Sequence, residues 1–421
     1  MTLSSAPREA YVWVWLPGAS EPVVAGRLEA IGNLVDFNYG QSYLSREDAM
    51  PLYLPELPLK SGRISPLPGM SMAGCLADGG PDAWGQRVIM NRLLGAAARD
   101  EDPAALSPLT YLLESGSDRF GALDFQASPS EYLRRGGATS SVEELMQAAE
   151  RVEEGVPLSP DLDAALLGGS SLGGARPKAT LESGQRALVA KFSSISDPYP
   201  IVKGEYAAME LARRAGLDVA AVEMTQVLGK DVLLVERFDR PAPGQRRAVV
   251  SALTMLELDE MLARYASYVD LAHMVRKRFT EAPATLRELF ARITFNILVG
   301  NDDDHARNHA AFWDGTSLTL TPAYDICPQR RSGGETRQAM TIGPDGFRES
   351  QVAGCIEAAA TYLLSEPEAR DIVDHQIAVI ESEWNDVCDL AQMTEIDRRY
   401  FWKRQILNSY ATEGYAGGRA G

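Results

Sequence analysis

An α+β chain is predicted, on three observations. Aromatic and β-branched runs fill the first forty residues, a glycine-rich stretch at 168–178 opens a strand–helix–strand–strand succession, and the second half has mainly helical periodicity.

Taken in order, residues 11–16 (YVWVWL) precede the turn pair Pro17-Gly18, and 23–31 and 34–39 flank Gly32-Asn33, a small antiparallel meander. Residues 81–96 read as a helix, and 107–125 as a short helix followed by the strand GALDF. SSVEELMQAAERVEEG carries a Ser-x-x-Glu start, which opens a helix at about Val142. Strands are expected at 187–192, 219–227 and 232–238, with a helix at 204–215. Leu286, Leu289, Phe290, Ile293 and Ile297 have helical spacing, so 285–298 is a helix, with Thr285 and Glu288 as its capping box. A short strand at 318–324 interrupts the helices, which run to about Tyr410, and EGYAGGRAG reads as a disordered tail. The implied organisation is a β-rich segment 1–135, a segment 136–240 with a phosphate loop, a helical segment 241–412 and a flexible tail 413–421.

Composition bounds the function. The 41 Lys and Arg against 58 Asp and Glu give a net charge of −17, which disfavours direct, phosphate-driven nucleic-acid binding. The four cysteines are scattered without a CxxC pair, which argues against structural zinc and for reduced thiols in a cytoplasmic protein. No signal peptide and no membrane span are expected.

The most informative segment is Gly300-Asn301-Asp302-Asp303-Asp304-His305-Ala306-Arg307-Asn308, directly behind an apolar helix. Three adjacent carboxylates repel one another and ask for a compensating cation. Asp303 and Asn308 have the i, i+5 spacing with which protein kinases place a catalytic Asp and a Mg²⁺-binding Asn. Asp325, ending LTLTPAYD, fits a second metal-binding Asp, and hard oxygen ligands are what Mg²⁺ selects. The stretch GGSSLGGARPK is suited to phosphate through its backbone N–H groups, although it is no Walker A loop. Lys191 in VAKF matches a phosphate-pairing Lys, and Leu234–Asp239 ends a strand where a kinase places its adenine linker. The order of these parts along the chain predicts a two-lobed, protein-kinase-like α+β fold with a mainly helical second lobe.

The same residues resemble the HipA family of serine/threonine kinase toxins of type II toxin–antitoxin systems. SSLGGARPK, LVAKF, EYAAMELARRAG, LLVERFDR, NDDDHARNHAAFW and LTPAYDI occur in family order, and LADGGPDAWGQRVI and SDRFGALDF resemble its N-terminal subdomain. The resemblance implies Asp303 as catalytic base and Asn308 with Asp325 as Mg²⁺ ligands. It implies ATP contacts from Ser171, Leu172, Gly173, Gly174, Ala175 and Lys191, with Glu236 and Phe238 meeting the adenine and His305 placed in the same set. Ser171 matches the family's autophosphorylated serine, whose added charge, roughly −1.5 to −2, repels nucleotide and switches the enzyme off. Implied partners are a HipB-like helix-turn-helix antitoxin, through which DNA is approached, and a protein substrate of the aminoacyl-tRNA synthetase class. The loop LGGARP departs from the best-known branch, which bears on substrate choice.

Two further readings remain open on the sequence: a small-molecule kinase, which shares the Asp–x4–Asn pattern, and a nucleotide-binding repressor subunit without activity. The presence of Asp303, Asn308, Asp325 and Lys191 together argues against the second.

Overall fold

Ala10, Val12 and Val14 are all buried on one face of the first strand, as a strand packed on a core requires, and Trp13 between them is buried as well. The computed structural model describes residues 6–99, 101–136, 140–167, 174–194, 197–331 and 334–417. The chain forms two compact units, one of residues 1–195, 226–250 and 312–316, the other of 196–225, 251–311 and 317–421. The division does not follow the boundaries at 135 and 240 read from sequence: 136–195 stays with the N-terminal segment, and 196–225 joins the helical unit.

In the first unit, β1 (Glu9–Val14), β2 (Val23–Ile31) and β3 (Leu34–Tyr39) form the expected antiparallel meander. β4 (Arg63–Ile64) and β5 (Leu123–Gln126) complete a five-stranded sheet in the order β4-β3-β2-β1-β5. The GALDF segment thus adds beside β1, with Val12 opposite Phe125. Helix α1 (Ala83–Leu94) is capped by Asp82, whose carboxylate accepts from the Gly85 N–H at 2.7 Å. Helix α2 (Val142–Glu153) has the capping box that its sequence announced, formed by Ser141 and Glu144. After α3 (Pro160–Leu167) come β6 (Lys178–Ser183), β7 (Arg186–Phe192) and β8 (Lys230–Glu236), antiparallel neighbours in that order. Trp84, Met146, Val152, Leu166, Phe192 and Val232 share one buried core, which joins the α1 and α2 faces to the sheet.

In the second unit, α4 (Ile201–Arg214) starts three residues earlier than its sequence suggested. Helix α5 (Ala282–Val299) likewise starts before Thr285, with Pro283 in its first turn and no side-chain cap. The expected Thr285–Glu288 capping box is therefore absent; Glu288 is taken instead by Arg292 at 2.8 Å, one turn on. Leu286, Leu289, Phe290, Ile293 and Ile297 are buried as predicted. The long helix α6 (Glu366–Leu390) is tied to α5 through Gln376, which accepts from the Thr294 hydroxyl at 2.9 Å and donates to the Ala291 carbonyl at 2.7 Å. The strand expected at 318–324 is shorter: Leu318–Leu320, then a parallel bridge of Ala323 with Val219. Residues 413–417, read as the start of a flexible tail, are described, and the Tyr415 hydroxyl donates to Asp374 at 2.8 Å.

Candidate active site

Helix α5 ends at Gly300, whose φ of 72° closes it in the left-handed region. A Cβ there would lie 2.7 Å from the Gln405 carbonyl oxygen, so both the angle and the space require glycine. The chain then turns through 301–305 into a short 3₁₀ turn, Ala306–Asn308.

This loop is held from inside by Asp304. It is buried, and its Oδ2 accepts from the Asn296 amide at 2.8 Å, meets His309 Nε2 at 3.0 Å and takes the Tyr268 hydroxyl as well. Burial alone would push this carboxyl up, but the His309 charge and the donated hydrogen bonds outweigh it and hold the group below the ordinary Asp value. Asn301 donates to Asn296 at 2.9 Å, so a second side chain ties the loop to the last turn of α5.

Asp303, by contrast, is exposed. Its carbonyl accepts from the Asn308 amide at 3.2 Å, so the two residues at i and i+5 are bonded across the turn. Its carboxyl is pushed above the ordinary Asp value by local desolvation, then by the negative charges of Asp325, Asp302 and Asp304, against the pull of His305. Asp325 therefore lies within electrostatic reach of Asp303. It stands at a φ of 61°, costly for a non-glycine residue, just after the Ala323–Val219 bridge. The Tyr324 hydroxyl donates to the Arg307 carbonyl at 2.7 Å, which joins the two segments directly. Asp302 accepts from the Thr336 hydroxyl at 2.6 Å.

Crowded carboxylates with an amide oxygen nearby are a hard-oxygen set of the kind Mg²⁺ takes together with waters and substrate phosphates. Among the described residues no group of three or more His, Cys, Asp or Glu is placed to hold a metal ion by itself.

In the first unit, Lys191 sits next to the last residue of β7, opposite Lys178 on β6 and Leu233 on β8. Ser171, Leu172 and Gly173 lie outside the described residues. Gly174 and Ala175 are described and exposed; Gly174 has a φ of 89°, and a Cβ on it would lie 3.2 Å from Lys178 Nζ. The base of the glycine stretch is seated by the LADGGPDAWGQRVI motif. The Trp84 indole donates to the Lys178 carbonyl at 3.0 Å, and Lys178 pairs with Asp82 at 3.2 Å, both nearly buried.

Glu236 ends β8, so Phe238, expected within the strand, lies past it. The Phe238 ring stands edge-to-face against Phe120 and Phe312, each at 5.8 Å. Around it is a buried charge network that the sequence reading missed. Arg237 pairs with Asp118 at 2.7 Å and Asp239 at 2.8 Å, Arg240 joins the same two carboxylates, and Asp239 accepts from the Gly121 N–H at 2.8 Å. Arg119 and Asp124, both fully buried, pair nearby at 2.8 Å. The signal was the pair of motifs SDRFGALDF and ERFDR, each alternating charges with aromatics. Likewise His309, given no role from sequence, is a partner of Asp304.

Among the described residues no helix is long and apolar enough to cross a membrane. A family model described as the HipA-like C-terminal domain matches residues 170–384, just over half of the chain. Y4mE of Sinorhizobium fredii, provisionally named a kinase, is 27% identical over 326 residues, 69% of this chain and 71% of its own. The serine/threonine-protein kinase toxin HipA of Shewanella oneidensis is 28% identical over 145 residues, 30% of this chain and 34% of the toxin. Among solved structures, HipA from the Shewanella oneidensis complex of HipA, HipB and operator DNA superposes with a TM-score of 0.63 at 19% identity, covering 93% of this chain and 96% of that one. The two share an α+β, kinase-like fold.

Proposed function

We propose, from the premise that this chain belongs to the family with a HipA-like C-terminal domain, that it is an ATP- and Mg²⁺-dependent kinase acting on a protein serine. The observation that carries the reading is the catalytic turn: Asp303 exposed at its tip, bonded through its carbonyl to Asn308, with Asp325 in electrostatic reach.

In this reading the Asp303 carboxylate orients the substrate hydroxyl and accepts its proton. The hydroxyl oxygen bonds to the γ-phosphorus as the bond to the β–γ bridging oxygen breaks, and ADP leaves with that electron pair. Mg²⁺ held by Asn308 and Asp325 supplies neutralising charge to the phosphates. Asp304 keeps the turn in place without touching the substrate. Lys191, Gly174 and Ala175 are assigned to ATP phosphates, and Glu236 and Phe238 to the adenine, with Ser171, Leu172, Gly173 and His305 completing the set. Ser171 is assigned as the autophosphorylated off-switch. An aminoacyl-tRNA synthetase is the proposed substrate class, and a HipB-like DNA-binding antitoxin the proposed partner. The acidic composition supports an approach to DNA through that partner.

Peptide mass spectrometry after incubation with Mg²⁺-ATP, beside Asp303→Ala, tests this. Phosphate on Ser171 in the wild type and none in the variant is the expected result. No phosphate on the chain, and none on an added synthetase, would overturn it.

A further inference from the structure

Arg331 is 4% exposed, yet none of its three guanidinium nitrogens has a hydrogen-bond partner among the described residues. A guanidinium offers five N–H donors in a fixed fork and stays charged, so burial without an acceptor is strongly unfavourable. Desolvation accordingly pulls its pKa down from the ordinary Arg value, partly offset by Asp302 and the Tyr410 phenol. Neither offers it a hydrogen bond: the Asp302 carboxylate accepts from Thr336 at 2.6 Å, and the Tyr410 hydroxyl donates to Glu349 at 3.1 Å.

A second buried orphan stands by the same turn. Gln405 is 0% exposed, and neither its amide nitrogen nor its amide oxygen has a partner among the described residues. Its backbone packs on Gly300, whose carbonyl accepts from the Gln329 N–H at 2.9 Å, two residues before Arg331. The segments carrying the two orphans therefore meet at Gly300, which leads into the catalytic turn.

We infer that Arg331 is the anchor of an oxyanion site beside the 300–304 turn, taking a phosphoryl or carboxylate group other than the phosphates of the nucleotide. A tetrahedral or planar oxyanion is what the guanidinium fork matches, two oxygens to two N–H groups. The anion also offsets a buried positive charge that the protein itself leaves without a hydrogen bond. Asp302, immediately before Asp303, feels that charge, so occupancy bears on the catalytic turn. The inference stands on the orphaned groups and does not depend on the kinase reading.

Thermal melts of the full chain at constant ionic strength, without nucleotide, test it with inorganic phosphate, acetate and chloride. Wild type and Lys191→Ala are expected to melt higher in phosphate or acetate than in chloride, and Arg331→Met to show no such difference. A phosphate effect alone assigns a phosphoryl group, and an acetate effect a carboxylate. A shift lost in Lys191→Ala, or kept in Arg331→Met, would place the anion elsewhere and overturn the site. Should Arg331→Met not fold, ³¹P line broadening of phosphate by Lys191→Ala decides for the phosphoryl arm and ¹H line broadening of acetate for the carboxylate arm. Broadening of either supports the site, and of neither sinks it.

Discussion

The Asn308 side-chain amide donates to the Asp303 main-chain carbonyl at 3.2 Å, so the two residues proposed for base and metal are held by one hydrogen bond across a single turn. That bond fixes backbone, and it leaves the Asp303 carboxylate and the Asn308 amide oxygen for a ligand. An i, i+5 spacing in sequence becomes one hydrogen-bonded turn.

Replacing Asp303 by Asn keeps shape and removes the proton acceptor. Phosphate transfer is expected to fall by about 10²–10⁴-fold, the usual worth of a positioned base. Because the side chain is exposed, the melting temperature is expected to stay within about 2 °C of wild type. Radiolabel transfer and calorimetry on one preparation check both halves, and near-normal turnover would remove Asp303 from the mechanism.

Asp304 behaves in the opposite way. Asp304→Ala leaves Asn296 and His309 with unmet polar atoms in a buried site and Tyr268 with only the main-chain carbonyl of residue 304 at 3.2 Å, for an expected loss of about 3 kcal/mol, measured by urea unfolding. The pH dependence has a definite sign. A carboxyl held below its ordinary value contributes stability that is fully present above the unfolded value, about 3.9, and is lost as pH falls through the lower folded value. Wild type is therefore expected to lose stability below about pH 4 more steeply than Asp304→Asn.

The Arg237–Asp239 pair is expected to be costly to break from one side. Both side chains are 2% exposed, so Asp239→Ala leaves Arg237 and Arg240 short of one carboxylate in a largely buried site. A loss of about 3–5 kcal/mol is expected, with Arg237→Met/Asp239→Leu recovering part of it. Chemical denaturation of the three variants gives the answer. Equal stability of Asp239→Ala and wild type would show that the network is idle.

Gly300→Ala is expected to unsettle the turn itself. The angle of 72° costs about 1 kcal/mol for a residue with a Cβ, and the approach to Gln405 adds to it. Hydrogen exchange at 301–308 is expected to speed up more than exchange in α6. Uniform change across the unit would mean global weakening instead.

Much of this protein was legible without coordinates, for local reasons. The apolar spacing from Leu286 to Ile297 prescribes a buried helix face, and Ser141 with Glu144 prescribes a helix start, because each depends on neighbours a few residues away. The mismatched Thr285 cap shows the limit: Pro283 starts the helix a turn earlier and frees Glu288 for Arg292. What only the tertiary structure decided are relations between residues far apart in the chain. Which of three adjacent aspartates is buried depends on Tyr268, thirty-six positions away, and on the face of α5 that Asn296 occupies. That Arg237 meets Asp118 across 119 positions is a matter of which strand end packs on which turn, and short-range spacing carries no information about that. Residue types and order along the chain specify the chemistry available; burial, set by packing, decides which of those groups are left to meet a ligand.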